Sequence, residues 1–228
     1  MPYLILVILL MALLFGPQLW VQYVLRKYNT PQDHIPGTGG ELAQHLIERF
    51  QLDGVAVEQT EKGGDHYDPT NKKVRLSPEY FNTNSLTSVA IAAHEVGHAI
   101  QHHRDEPLLK LRTRLSYLAI TAQKLSGGLL VVIPIVMAIT RAPSAGVAMF
   151  VIGLGSMLLG TLIQLVTLPV EIDASFNKAL PVLKEGNYIN DKDEKSVTKI
   201  LRAAAFTYLA GSLSSLLNLW RWLSIFKK

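Results

Sequence analysis

The chain has 228 residues, of which 49% are hydrophobic and only 18% are charged, and its formal net charge is +4. Soluble domains carry roughly 25% charged residues, so this composition is more apolar than theirs. The absence of cysteine excludes disulfides, zinc sites built on thiolates, and thiol catalysis. The basic residues are scattered, without a basic run or an aromatic platform, which argues against nucleic acid as a partner.

Long uncharged stretches predict several membrane helices. Residues 1–25 and 142–170 contain no charged side chain, and the shorter stretches 125–140 and 203–220 contain none either. A helix needs about 20 apolar residues to cross a hydrocarbon layer that is ~30 Å thick. We therefore predict an integral membrane protein. Its N-terminal transmembrane helix covers 1–25, and two central transmembrane helices lie within 115–170. A C-terminal helix at 203–228 spans the membrane or lies on it.

Two polar segments separate these helices, at 26–114 and 171–202. They contain most of the lysine and arginine residues. Positively charged loops stay on the cytoplasmic side of a membrane. The sequence therefore predicts a multi-pass protein whose polar segments, and any site they carry, face the cytoplasm.

The segment 26–114 contains patterns typical of a small α+β subdomain. "ELAQHLIERF" predicts a short helix with Leu42, Leu46, Ile47 and Phe50 on one face. "GVAVEQT" and "KKVRLS" alternate apolar and polar residues, which predicts a pair of short strands joined by the turn-rich "KGGDHYDPTN". "TNSLTSVAIAAHEVGHAIQHH" begins with capping residue types and continues as an almost wholly apolar helix, which predicts a buried one.

The buried helix contains an H-E-x-x-H motif, formed by His94, Glu95 and His98. Residues four apart lie on the same face of a helix, so both imidazoles can reach one metal ion. Glu95 is rotated by about 100° from His94. It can therefore lie beside the metal and act as a general base, taking a proton from a water molecule that zinc activates.

A hydrolytic zinc site needs three protein ligands, and the third is expected elsewhere in the chain. His102 and His103 are out of register with the first two histidines, and we interpret them as solvated residues at the helix end. Glu171 and Asp173 are the first charged residues after the uncharged stretch 142–170. They follow Pro169, and a new helix is expected to start at "DASFNKAL".

The chain resembles the bacterial family of neutral membrane zinc metallopeptidases over most of its length. The resemblance rests on the N-terminal helix, "DHYDPTNKKVRLS", "AAHEVGHAIQ", "PLLKLR" and "LPVEIDAS". More distantly, the chain is similar to integral-membrane gluzincin proteases, whose third ligand is the Glu of an E-x-x-A-D segment. This resemblance implies that Glu171 is the third ligand. Ser175 departs from the pattern, because the distant relatives have a supporting Asp there, and either Asp173 or Asp68 is a candidate substitute.

The same resemblance implies further site residues. In gluzincins a strand edge beside the active-site helix pairs with the substrate, which would assign Val74, Arg75 and Leu76 to substrate binding; a plain packing hairpin is the alternative. His66 and Tyr67 are candidate donors to the oxyanion of the transition state. The alternative for "DHYDP" is a turn, with Asp65 and Asp68 as capping residues.

The resulting prediction is a mainly α, integral-membrane zinc metalloendopeptidase. It combines a multi-helix membrane bundle with a zincin-like cytoplasmic subdomain of the gluzincin type. It would bind one Zn²⁺ per chain through His94, His98 and Glu171, and cleave membrane or membrane-proximal polypeptides in the bacterial cytoplasmic membrane. The alternatives are a membrane adaptor with a structural zinc site and a zinc hydrolase of a non-peptide bond. The sequence leaves the oligomeric state open.

Overall fold

The computed structural model describes residues 2–61, 64–140 and 144–206, and the protein in these ranges is mainly helical with a small sheet. The elements in chain order are α1 (Pro2–Lys27), α2 (Gly39–Arg49), β1 (Ala56–Gln59), β2 (His66–Asp68), β3 (Lys73–Leu76), α3 (Pro78–Phe81), α4 (Leu86–His103), α5 (Pro107–Thr140), α6 (Ser144–Ile172), a π-helical segment (Asp173–Ala179) and α7 (Leu180–Glu185). Residues 194–206 are also helical and are called α8.

Side-chain caps fix where α2 and α4 begin. The hydroxyl of Thr38 accepts a hydrogen bond from the backbone of Glu41, and the Glu41 side chain accepts one from the backbone of Thr38, which completes a capping box. The hydroxyl of Ser85 accepts a hydrogen bond from the backbone of Ser88 at the start of α4. Both helices therefore occur where the sequence predicts them, and α4 is buried from Leu86 to Gln101 as its apolar pattern requires.

The sheet has three strands in the order β1-β3-β2. β1 pairs with β3 in parallel, and β2 pairs with β3 in antiparallel fashion. The third strand, β2, forms inside the stretch that the sequence predicts as a turn. The prediction that Val74, Arg75 and Leu76 form a substrate-binding strand edge is wrong, because β3 is central and both its edges are already paired.

The chain from α6 to α7 is one continuous helical run, so the predicted helix start at "DASFNKAL" is wrong. Pro169 lies inside α6, and the helix continues past it. The turns then widen into the π-helical segment Asp173–Ala179. A π-helical turn shifts the register of the side chains and occurs frequently at functional sites. Here it packs directly against α4.

The hydrophobic core surrounds α4. Its buried side chains come from the end of α1, from α2, β3, α4 and α8, and include Val24, Leu46, Val74, Val96 and Ile200. The predicted apolar face of α2 contributes Leu42, Leu46 and Ile47, which are all buried. A central helix with apolar neighbours on most sides provides a rigid, water-poor base for the polar residues that α4 also carries.

The described residues contain one helical run that is long and apolar enough to cross a membrane, at Val151–Glu185. Large apolar side chains on α5 and α6 are exposed, among them Val132, Ile135, Ile139, Val151, Leu158, Leu162 and Leu165. α1 forms a helix where the N-terminal transmembrane helix is predicted. The predicted multi-helix membrane bundle stays a prediction, and most of the predicted C-terminal helix at 203–228 lies outside the described residues.

Candidate metal centre

Three buried side chains converge between α4 and the end of α6. The Nε2 atoms of His94 and His98 lie 3.0 Å and 3.2 Å from the same Glu171 oxygen, Oε2. All three ligand atoms lie within 4.8 Å of one another. Ligands that are about 2.1 Å from a tetrahedral zinc ion are roughly 3.4 Å apart. The separations of the three atoms therefore suit a single tetrahedral ion.

The hydrogen bonds around His98 are compatible with a cation between these atoms. The amide nitrogen of Gln101 donates to the carbonyl of Val170 and to Asp173, at 3.0 Å and 2.7 Å, which fixes the orientation of the amide group. The Gln101 oxygen therefore faces Nδ1 of His98, at 2.8 Å, and Nδ1 must donate to it. Nε2 of a neutral His98 then presents a lone pair to the carboxylate of Glu171.

The environment of His94 leads to the same arrangement. Its Nδ1 atom lies 3.0 Å from the hydroxyl of Ser175. That hydroxyl donates to the backbone carbonyl of Leu201, at 3.4 Å. A hydroxyl that donates elsewhere accepts from Nδ1–H, so Nε2 of His94 also carries a lone pair. A single proton cannot satisfy three converging acceptors, whereas one divalent metal ion can.

Gly97 allows the segment that carries Glu171 to approach α4 closely. A Cβ atom at position 97 would lie 2.9 Å from the carbonyl oxygen of Ala174. Real Cβ atoms essentially never come so close to another heavy atom. The glycine between the two histidines therefore sets the distance between the imidazoles and the carboxylate that faces them.

Glu95 lies beside the three converging side chains, buried and 7% exposed. In the described part of the chain its carboxyl group receives no hydrogen bond. Burial, reinforced by the negative charges of Glu171 and Asp65, outweighs the attraction of His94 and raises the pKa of Glu95 to about 7. A carboxyl group with such a pKa is suited to take up and release a proton near neutral pH.

Arg112, on α5, reaches the second oxygen of Glu171. Its Nη2 atom lies 3.4 Å from Oε1 of Glu171. The two groups form an ion pair, but their geometry is not that of a hydrogen bond. The contact shows that α5 also contributes a positive charge to the surroundings of Glu171, and no sequence pattern marks it.

The residues of β2 have partners outside this cluster. The hydroxyl of Tyr67 shares a hydrogen bond with Nδ1 of His102, at 2.8 Å, so His102 is not the freely solvated residue that the sequence predicts. Burial, with the nearby charge of Asp68, raises the pKa of Tyr67 to about 12, so the phenol stays protonated at neutral pH. His66 is exposed and contacts the carbonyl of Gly64. The oxyanion role of His66 and Tyr67 stays a prediction.

Asp68 forms the turn that the sequence offers as its alternative role. Its carboxylate accepts hydrogen bonds from the backbone of Thr70 and Asn71 and from the guanidinium of Arg75. None of these partners belongs to the metal cluster, so Asp68 does not replace the missing Asp at position 175. Asp173 does contact the cluster, indirectly, through Gln101.

Two comparisons with known proteins show the family of this chain. A family model described as "Putative neutral zinc metallopeptidase" matches residues 3–227. The chain belongs to this family. It is also 34% identical to a protein named "Putative membrane protease YugP" from Bacillus subtilis (strain 168), over 99% of this chain and 97% of that protein. No solved structure matches the chain.

The donor set fits the metal in the family's name. Two neutral imidazoles and one carboxylate are ligands that zinc takes in hydrolytic sites, and such sites keep a fourth position for water or substrate. The chain has no cysteine, so a zinc site with thiolate ligands is excluded. Among the described residues, His94, His98 and Glu171 form the group that could hold such an ion.

Proposed function

We propose that this protein is a membrane-integral zinc endopeptidase in which His94, His98 and Glu171 hold the zinc ion and Glu95 is the general base. The observation that carries the proposal is the convergence of three acceptor atoms on one point, beside a buried carboxyl group that is not one of the three. A structural zinc site has no need of such a fourth group. Glu95 therefore favours a hydrolytic site over the adaptor alternative.

His94, His98 and Glu171 would hold a zinc ion, which would supply Lewis acidity towards a substrate carbonyl and a water molecule. Glu95 accepts the proton of the attacking water and delivers it to the nitrogen of the leaving amine. The guanidinium of Arg112 places a positive charge beside the second oxygen of Glu171 and helps to hold its carboxylate in place.

The proposed substrates are membrane proteins or membrane-proximal polypeptides, and the proposed location is the cytoplasmic face of a bacterial membrane. Glu171 lies within the apolar helical run Val151–Glu185, so the site and the candidate membrane span share one helix. The lysine and arginine residues concentrated in 26–114 and 171–202 support a cytoplasmic position. The relative named as a putative membrane protease supports the association with a membrane.

The test uses the full chain reconstituted in liposomes, with Glu95→Gln as the variant and exposed Glu185→Gln as the control. We expect Glu95→Gln to retain one zinc ion per chain and to cleave labelled casein about 10²–10⁴-fold more slowly, because it cannot transfer the proton. Glu185→Gln should match the wild type in both measurements. A Glu95→Gln protein that cleaves at the wild-type rate would refute the proposed mechanism.

The same variant can identify natural substrates. Glu95→Gln should bind substrates without releasing products, so proteins that co-purify with it from native membranes, and not with Glu171→Gln, are candidate substrates. We expect these proteins to be integral or peripheral membrane proteins. A set consisting of soluble proteins alone would contradict the proposed substrate class.

A further inference from the structure

The two metal-facing histidines are supported by different chemistry. Nδ1 of His94 faces a neutral hydroxyl, that of Ser175, at 3.0 Å. Nδ1 of His98 donates to the Gln101 amide at 2.8 Å, and that amide donates to the carboxylate of Asp173 at 2.7 Å. On the His98 side, the Gln101 amide therefore links the cluster to a negatively charged carboxylate. On the His94 side, Ser175 carries no charge.

Asp173 is itself held firmly in place. Nζ of Lys178 contacts its Oδ2 atom and lies 2.9 Å from the carboxylate of Glu106. The Asn177 amide donates to its other oxygen, Oδ1, at 2.9 Å. The side chain of Lys178 is only 7% exposed. A cation buried to this extent is costly unless it is paired, and its two carboxylate partners explain how it is tolerated.

The chain of contacts joins three elements. Gln101 lies near the end of α4, Asp173 and Lys178 lie in the π-helical segment, and Glu106 lies in the corner between α4 and α5. The backbone N–H of Glu106 also donates to the carbonyl of Gln101, at 3.0 Å. The same few residues thus fix both the Gln101 backbone and its side chain, which leaves the amide one orientation.

We propose that Asp173, Gln101 and Lys178 are positioning residues for His98, and we call these three residues the His98 support. The carboxylate of Asp173 polarises the Gln101 amide, which strengthens the hydrogen bond from Nδ1–H of His98 and makes its Nε2 a better metal ligand. Lys178 holds Asp173 in the required position. The support supplies the charge that Ser175 does not. It rests on the proposed function only in taking His98 as a metal ligand.

The test measures metal affinity and not only catalysis. The full chain in detergent is titrated with Co²⁺ and with Zn²⁺ in the presence of a competing chelator. We expect Gln101→Met and Asp173→Asn each to weaken metal binding by about 10–100-fold, the range found for groups that support a ligating histidine. The ligand-field absorption of bound Co²⁺ should also change in Gln101→Met, because the imidazole loses its orientation.

A double variant separates this route from a general charge effect. If Asp173 acts through Gln101, then Gln101→Met combined with Asp173→Asn should bind metal about as weakly as Gln101→Met alone. Multiplied effects of the two changes would overturn the proposal, as would wild-type affinity in Asp173→Asn. Lys184→Met is the matched control, since Lys184 has an exposed ion pair with Glu194, at 2.8 Å, on the same helical run; its affinity should not change.

Asn177→Ala provides a second, milder variant in case Asp173→Asn does not fold. Asn177 is exposed, and its loss removes one hydrogen bond from Asp173. We expect metal binding to weaken by about 2–3-fold, well below the effect of losing a direct support; an unchanged affinity would overturn the proposal. The two proposals can fail separately. A wild-type protein that binds zinc but cleaves no substrate would contradict the proposed peptidase activity. The proposal for the His98 support is tested by metal affinity alone.

Discussion

Glu95 and Glu171 are two buried carboxyl groups with opposite surroundings. Glu171 faces two imidazoles and a guanidinium, whereas Glu95 receives no hydrogen bond from the described residues and has a pKa raised to about 7 by burial. Neighbouring titratable groups that differ in this way commonly divide the roles of acid, base and charge stabiliser. The division agrees with a ligand role for Glu171 and a proton-transfer role for Glu95.

Gly97 provides a test of how closely the two halves of the site must approach. In Gly97→Ala the new methyl group would meet the carbonyl of Ala174, and such overpacking typically costs about 1–3 kcal/mol. We expect a lower unfolding temperature and weaker zinc binding, because Glu171 moves away from the imidazoles. Thermal unfolding and a zinc titration measure the two effects.

Gly155→Ala is the control, since nothing lies within 4 Å of a Cβ atom at that position. Alanine favours a helix over glycine by about 1 kcal/mol, so this variant should be at least as stable as the wild type. Equal zinc affinity in Gly97→Ala and the wild type would show that the close contact does not position Glu171.

The helices and strands show which parts of the site can be predicted from sequence. His94, Glu95 and His98 follow from helical spacing alone, because the helix that carries them is long and uniformly apolar. Glu171 was expected from its position after an uncharged stretch and from the family resemblance. β2 could not be predicted, because His66–Asp68 has only three residues among turn formers and depends on pairing with β3.

The His98 support could not be predicted either. Gln101 follows His98 by three residues, a spacing that does bring side chains together on a helix. Its partner Asp173, however, lies 72 residues away, and their contact depends on the π-helical segment. A lysine such as Lys178 is almost never buried without a partner, so its position in the interior becomes visible only in three dimensions.

The turn between β2 and β3 gives the sheet a specific pH dependence. Burial would raise the pKa of Asp68, but hydrogen bonds from Asn71, Thr70 and Arg75 outweigh it and lower the pKa to about 2, from 3.8 in the unfolded chain. A lowered carboxyl pKa stabilises the folded state above the unfolded value, and this stability is lost as the pH falls towards 2. Asp68→Asn should therefore destabilise the protein at neutral pH.

The difference between Asp68→Asn and the wild type should shrink as the pH falls from about 4 to about 2, because the wild-type carboxylate is then protonated as well. Thermal unfolding midpoints at several pH values measure it. Asp53→Asn removes an exposed carboxylate from the same subdomain and serves as the control. A difference that stays constant over this pH range would show that the hydrogen-bonded charge of Asp68 is not its source.

For the molecule as a whole, the candidate metal ligand Glu171 and a candidate membrane span lie in one helical run. Leu162 lies within the span and is 49% exposed. An arginine at the centre of a membrane helix costs about 2.5–3.5 kcal/mol. We therefore expect Leu162→Arg to reduce the fraction of protein that inserts, measured by alkaline extraction of membranes.

Leu108→Arg is the control for this experiment, because Leu108 is also exposed but lies in the polar segment 26–114. It should stay in the membrane fraction like the wild type. Complete insertion of Leu162→Arg would indicate that Val151–Glu185 does not cross the hydrocarbon layer, and that its exposed apolar side chains are covered by something other than lipid.

In the proposed metal centre, His94, His98 and Glu171 hold one zinc ion. The most direct measurement is the zinc content and zinc affinity of purified Glu171→Gln, beside the wild type and Glu95→Gln. We predict one zinc ion per chain in the wild type and in Glu95→Gln. In Glu171→Gln, we predict loss of the ion during dialysis against a chelator, because a neutral amide replaces the anionic ligand. Retention of one tightly bound zinc ion by Glu171→Gln would contradict the proposed metal centre.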